Sequence, residues 1–66
     1  MYHGHTEPTE KQLGYAAKLA RDLHVGSEAI DLLSWANGWS RSKASSKLSK
    51  QTISEAIDQA VQRLKK

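Results

Sequence analysis

Apolar residues recur at three- and four-residue steps along most of this chain, and nowhere do they alternate with polar ones as in a strand. Leu13, Ala16, Ala17, Ala20 and Leu23 lie on one helical face, widened by Tyr15 and Leu19. Ahead of them, Thr9-Glu-Lys-Gln12 has the spacing of a capping box, in which a Thr hydroxyl and a Gln amide satisfy each other's free backbone N–H. Pro8 sits just outside the box, where its missing N–H costs nothing. Gly26 is the predicted stop of this first helix.

Ser27 is the predicted cap of a second helix of about ten residues, with Glu28 and Asp31 in its first turn, where the macrodipole favours acids. Ile30, Leu33 and Ala36 are expected to face inward, with Leu32 beside them, and Asn37-Gly38 to end the helix. Two nine-residue segments then echo each other. Ser40 to Leu48 and Ser49 to Ile57 both read as serine, base, two residues, apolar, serine, two residues, aliphatic. The offset is too short for a solenoid repeat. The first copy predicts a short helix over Arg41 to Leu48. In the second, Ile53, Ala56, Ile57, Ala60, Val61 and Leu64 form an unbroken stripe on a long last helix. That helix begins either at a Thr52–Glu55 box or one turn earlier, at Ser49. The expected fold is all-α, a small bundle of three to four helices, with residues 7–66 as one helical domain behind a flexible tail of residues 1–6.

Sixty-six residues bury a thin core, worth roughly 3–5 kcal/mol without covalent staples. The chain has no cysteine, which excludes disulfides and thiolate metal sites. Stability therefore rests on capped helices, a partner or self-association, and a homodimer through the last helix is compatible with the pattern. No stretch approaches the ~20 apolar residues of a membrane span. With no apolar leader at the N-terminus either, the expected setting is cytoplasmic, away from membranes.

The formal charge of +3 decides little, but its distribution decides more. Ser40 to Lys50 carries Arg41, Lys43, Lys47 and Lys50 and no acid, a separation that creates a field a polyanion feels. These four bases, with Ser40 as a neutral donor and Trp39 as a stacking or wedging ring, are the candidate nucleic-acid-binding residues. Four neutralised phosphates correspond to a log–log salt slope of roughly −3.6 on duplex DNA. Against this stands a plain solvated helix face, with Trp35 in the core and Trp39 packed beside it. His3 lies where a terminal amine and imidazole chelate Cu(II) or Ni(II), with His5 adjacent, a property of many N-termini. His24 suits a helix C-terminus. With no cysteine nucleophile, phosphate-cradling loop or zinc-type cluster, neither an enzyme nor a resident cofactor or metal is expected.

Pro8-Thr-Glu-Lys-Gln-Leu-Gly-Tyr-Ala-Ala-Lys-Leu-Ala20 resembles a first helix that recurs in small accessory segments, among them C-terminal tails of type IA topoisomerases. It is also similar to small actinobacterial domains in which such a helix precedes a Ser/Thr-Lys-x-x-Ala-Ser-x-x-Ile-Asp element. Ser40 to Leu48 and Ser49 to Asp58 both look like that element, with Ile53 replacing its Ala in the latter. The likeness covers about half the chain and departs from the pattern at the Ser27–Trp39 insert. It implies a helical appendage of phage, plasmid or bacterial DNA-processing proteins and carries over no catalytic residue. The other class of function compatible with this sequence is a protein-interaction module, an adaptor or inhibitor. In that case Trp39, Leu32 and Val61 would form an exposed apolar patch.

Overall fold

The computed structural model describes residues 7–65, in which four α-helices follow one another: α1 Glu10–Leu23, α2 Ala29–Asn37, α3 Arg41–Ser46 and α4 Lys50–Lys65. The described residues contain no strand, and the fold is the all-α bundle that the periodicity predicts. The expected tail of residues 1–6, with His3 and His5, lies outside the described residues.

The capping box of α1 forms as its sequence dictates. Gln12 N–H donates to the Thr9 hydroxyl at 3.1 Å, and Thr9 N–H donates to the Gln12 amide oxygen at 3.0 Å. The other end departs from expectation. Helix α1 closes not at Gly26 but at His24, a left-handed residue with φ 62° and ψ 34°. Its N–H bonds the Arg21 carbonyl, while Val25 N–H bonds that of Ala20, the paired closing bonds of a Schellman end. A side chain in that conformation costs roughly 1–2 kcal/mol, which these bonds and the turn beyond must outweigh.

Gly26 has a different duty. A Cβ there would collide with the side chain of Asp31. The Asp31 carboxylate folds back over the turn and accepts the N–H groups of Ser27 and Glu28, each at 3.0 Å. Glu28 therefore takes the cap position expected of Ser27. A charged acceptor on two free N–H groups is a stronger cap than one hydroxyl.

Helix α2 is covered by α1, α3 and α4 together. Its buried arc is turned away from the stripe expected. Leu32 and Leu33 are wholly buried and Ala29 nearly so, while Ile30 and Ala36 are only half-buried. Gly38, with φ 70°, ends the helix and donates its N–H to the Ser34 carbonyl at 2.8 Å.

Ser40 caps α3 by accepting Lys43 N–H at 3.2 Å. This helix stops at Ser46 rather than Leu48, because the cap of the next helix claims the chain. Thr52 donates its hydroxyl to the Lys47 carbonyl at 2.9 Å. Thr52 and Ser49 then form a reciprocal box, with Thr52 N–H on the Ser49 hydroxyl at 3.2 Å and Ser49 N–H on the Thr52 hydroxyl at 2.9 Å. Of the two starts compatible with the sequence, α4 uses the earlier.

Helices α1, α2 and α4 pack on one another, and α3 is seated on α2. Ala16, Leu19, Ala20, Leu32, Leu33, Ala44, Ile53, Ala56 and Ala60 meet in the interior. The stripe of α4 fades toward its end, where Leu64 is 42% exposed. Ile53 is the largest buried side chain that α4 contributes. Truncation by Ile53→Ala should cost about 2–5 kcal/mol. Against the thin core, that change is expected to leave the chain largely unfolded in a urea titration followed by helical circular dichroism. Leu64→Ala should stay within about 0.5 kcal/mol of the parent.

Candidate nucleic-acid interface

The candidate residues lie on the turn after α2, on α3 and at the start of α4. Trp39 follows the left-handed Gly38 and packs half-buried against the core, its carbonyl taking the Ser34 hydroxyl. The Lys43 ammonium stands 5.7 Å from the centre of the Trp39 ring, within range of cation–π attraction. Trp39 is thus neither a bare stacking surface nor an ordinary core residue. Ser40 is exposed, but its hydroxyl is engaged as the cap of α3.

Six residues at about 100° apiece make less than two turns, so α3 can be read side by side. Ala44 faces α2 and is wholly buried. Ser42 and Ser46 stand opposite it, exposed. Lys43 and Lys47, one turn apart, flank that outer side, and Lys50 follows as the first residue of α4. All three lysines are exposed, and none makes an ion pair among the described residues.

Arg41 lies on the other flank and is not one of this group. Its guanidinium donates to Glu28 at 2.8 Å and to Asp31 through its second terminal nitrogen. The structure therefore leaves Lys43 and Lys47 exposed on one flank of α3, with Lys50 exposed at the start of α4, and assigns Arg41 to two carboxylates of α2. Nothing in the local sequence announces this, because the partners stand 13 and 10 residues away. The only hint is that Glu28 and Asp31 are the sole acids between Ser27 and Lys50.

Asp31 is the junction of this arrangement, with one oxygen on the backbone of the α1–α2 turn and the other on Arg41. The Ser27 N–H, followed by that of Glu28 and by Arg41, holds its carboxyl below the ordinary value, against the opposing effect of burial. The side chain is only 12% exposed. Arg41 is shifted upward by its hydrogen bonds to the Glu28 and Asp31 carboxylates, Glu28 first. No group of His, Cys, Asp or Glu side chains among the described residues could hold a metal ion, and no described helix is long and apolar enough to cross a membrane. No family model matches this chain, and neither the curated proteins nor the solved structures contain a match to it.

A carboxyl depressed by folding stabilises the protein above its unfolded value, near pH 3.9, and that contribution is lost as pH falls through the lower folded value. Asp31→Asn should therefore be less stable than the parent at neutral pH. The gap should narrow below about pH 4 as the parent's own carboxylate protonates. Urea midpoints measured across the acid range check this, and a gap independent of pH would contradict it.

Proposed function

We propose that this chain is a nucleic-acid-binding helical module that neutralises phosphates with Lys43, Lys47 and Lys50. The observation that carries the reading is that these three lysines, two on one flank of α3 and one at the start of α4, are exposed and pair with no carboxylate among the described residues. Phosphate contacts of this kind supply affinity and orientation without base sequence. Lys43 sits over Trp39, which restricts its side chain and lowers the entropy lost on contact. The likeness of Pro8–Ala20 to accessory helices of DNA-processing proteins points the same way. A cytoplasmic setting, with nucleic acid at hand, accords with it. Arg41 is left out of the contact set because using it would strip two carboxylates of their partner.

A second reading, a protein-binding module, is favoured by a different face. Trp35, Asp58, Gln59, Gln62 and Arg63 line an open groove along α4. The apolar patch expected of Trp39, Leu32 and Val61 does not form, since Leu32 is wholly buried. Pull-down with the full chain, compared with a Trp35→Ala variant, tests whether that groove takes a protein partner.

Titration of labelled DNA at several salt concentrations tests the first reading. About three neutralised phosphates give an expected log–log slope near −2.7. Replacing Lys43, Lys47 and Lys50 together by alanine should remove most of the affinity and flatten the slope. Arg41→Ala should lower stability yet leave the slope unchanged. No binding at low salt, or binding indifferent to the three lysines, would overturn the reading.

A further inference from the structure

We infer that the partner is duplex DNA and that α3 enters its major groove, an assignment that rests on the nucleic-acid reading above. Helices α2 and α3 are joined by three residues, Gly38-Trp39-Ser40, with Gly38 in the left-handed conformation. A helix pair linked by so short a glycine turn sets its second helix as an outer element. Helix α3 meets this description: it packs on α2 through Ala44, and its remaining residues are exposed.

Charge selects the side from which a duplex approaches. Lys43 and Lys47 share one flank of α3, and neither they nor Lys50, the first residue of α4, pair with an acid among the described residues. On the opposite flank, one guanidinium faces two carboxylates, so the Arg41, Glu28 and Asp31 cluster carries a net negative charge that repels phosphate. The lysines therefore lie against one phosphate wall, and the outer side of α3 turns toward the base edges. Ser42 and Ser46 on that side are short, so the helix backbone comes close.

Size and stacking narrow the partner further. A helix is about 10–12 Å across, which matches a major groove about 12 Å wide and not a minor groove of about 6 Å. The major groove of duplex RNA is too narrow and deep for side chains to read. Single strands are held by open aromatic faces beside a basic groove, whereas the aromatic next to these lysines, Trp39, is half-buried with Lys43 over its ring.

The test compares affinities of the full chain for four probes of one sequence. These are a plain DNA duplex, the same duplex with glucosylated hydroxymethylcytosines that fill the major groove without adding charge, the single strand, and the RNA duplex. The plain duplex should bind roughly tenfold or more tightly than each of the others, the loss expected when one good groove contact is removed. The neutral variant Ser42→Leu with Ser46→Leu should abolish that preference while keeping the salt slope, with its fold checked by circular dichroism. Equal binding to the glucosylated duplex, or tighter binding to the single strand or to RNA, overturns groove entry. If the triple lysine variant still weakens those complexes, the phosphate-binding reading survives alone. Absence of binding to every probe overturns both.

Discussion

Little side chain separates the helices of this bundle, and most of its other features answer to that constraint. Ala16, Ala20, Ala29, Ala44, Ala56 and Ala60 make up the greater part of the fully buried set, with Leu19, Leu32, Leu33 and Ile53 as the larger members. Alanine favours the helix and lets backbones approach, but each one removes little apolar surface from water. A core built this way leaves the helix ends to supply what the interior does not. The reciprocal pairs Thr9–Gln12 and Ser49–Thr52, the Ser40 cap and the carboxylate of Asp31 all serve there. Caps of this kind contribute about 0.5–2 kcal/mol each, comparable in sum with the thin core itself.

Asp31 joins this local bookkeeping to the tertiary fold. Helix α3 packs chiefly on α2 and presents only Ala44 to the interior, so burial alone holds it weakly. The Arg41 guanidinium, drawn onto Glu28 and Asp31, fixes the start of α3 against the start of α2. Glu28 is exposed, and its share of the pair is screened by water. Asp31 is largely shielded, hydrogen-bonded twice to backbone and closely approached by the Gly26 backbone. Orientation of α3 therefore depends more on Asp31 than on Glu28, although both touch the same arginine.

How far the residues announced this arrangement depends on the range of the interaction. The four helices, the α1 box and the first part of the α4 stripe are written at spacings of three and four residues, and they appear where those spacings put them. Ends set by competition were harder to read. The α1 stop moved to His24 because a Schellman pair outweighs the strain of a left-handed histidine, and Gly26 proved to be spaced for Asp31. Helix α3 lost its last two expected residues to the cap of α4. The Arg41 ion pairs were out of reach of any local pattern, since they join residues brought together only once α3 has folded back on α2. Lys43, Lys47 and Lys50 were legible as exposed bases because they are neighbours in the chain and pair with no acid among the described residues.

The same two carboxylates thus act twice on one flank of α3. By neutralising Arg41 they remove one cation from the basic segment, and by exceeding it in number they turn that flank negative. A polyanion meeting this surface feels attraction on the lysine side and repulsion on the arginine side, a gradient across a helix about 10 Å wide. Four evenly available cations would attract phosphate from many directions. Two on one flank of α3, with a third at the start of α4 and a negative cluster on the opposite flank, favour one direction of approach, and a helix of six residues is too short to obtain orientation from length alone.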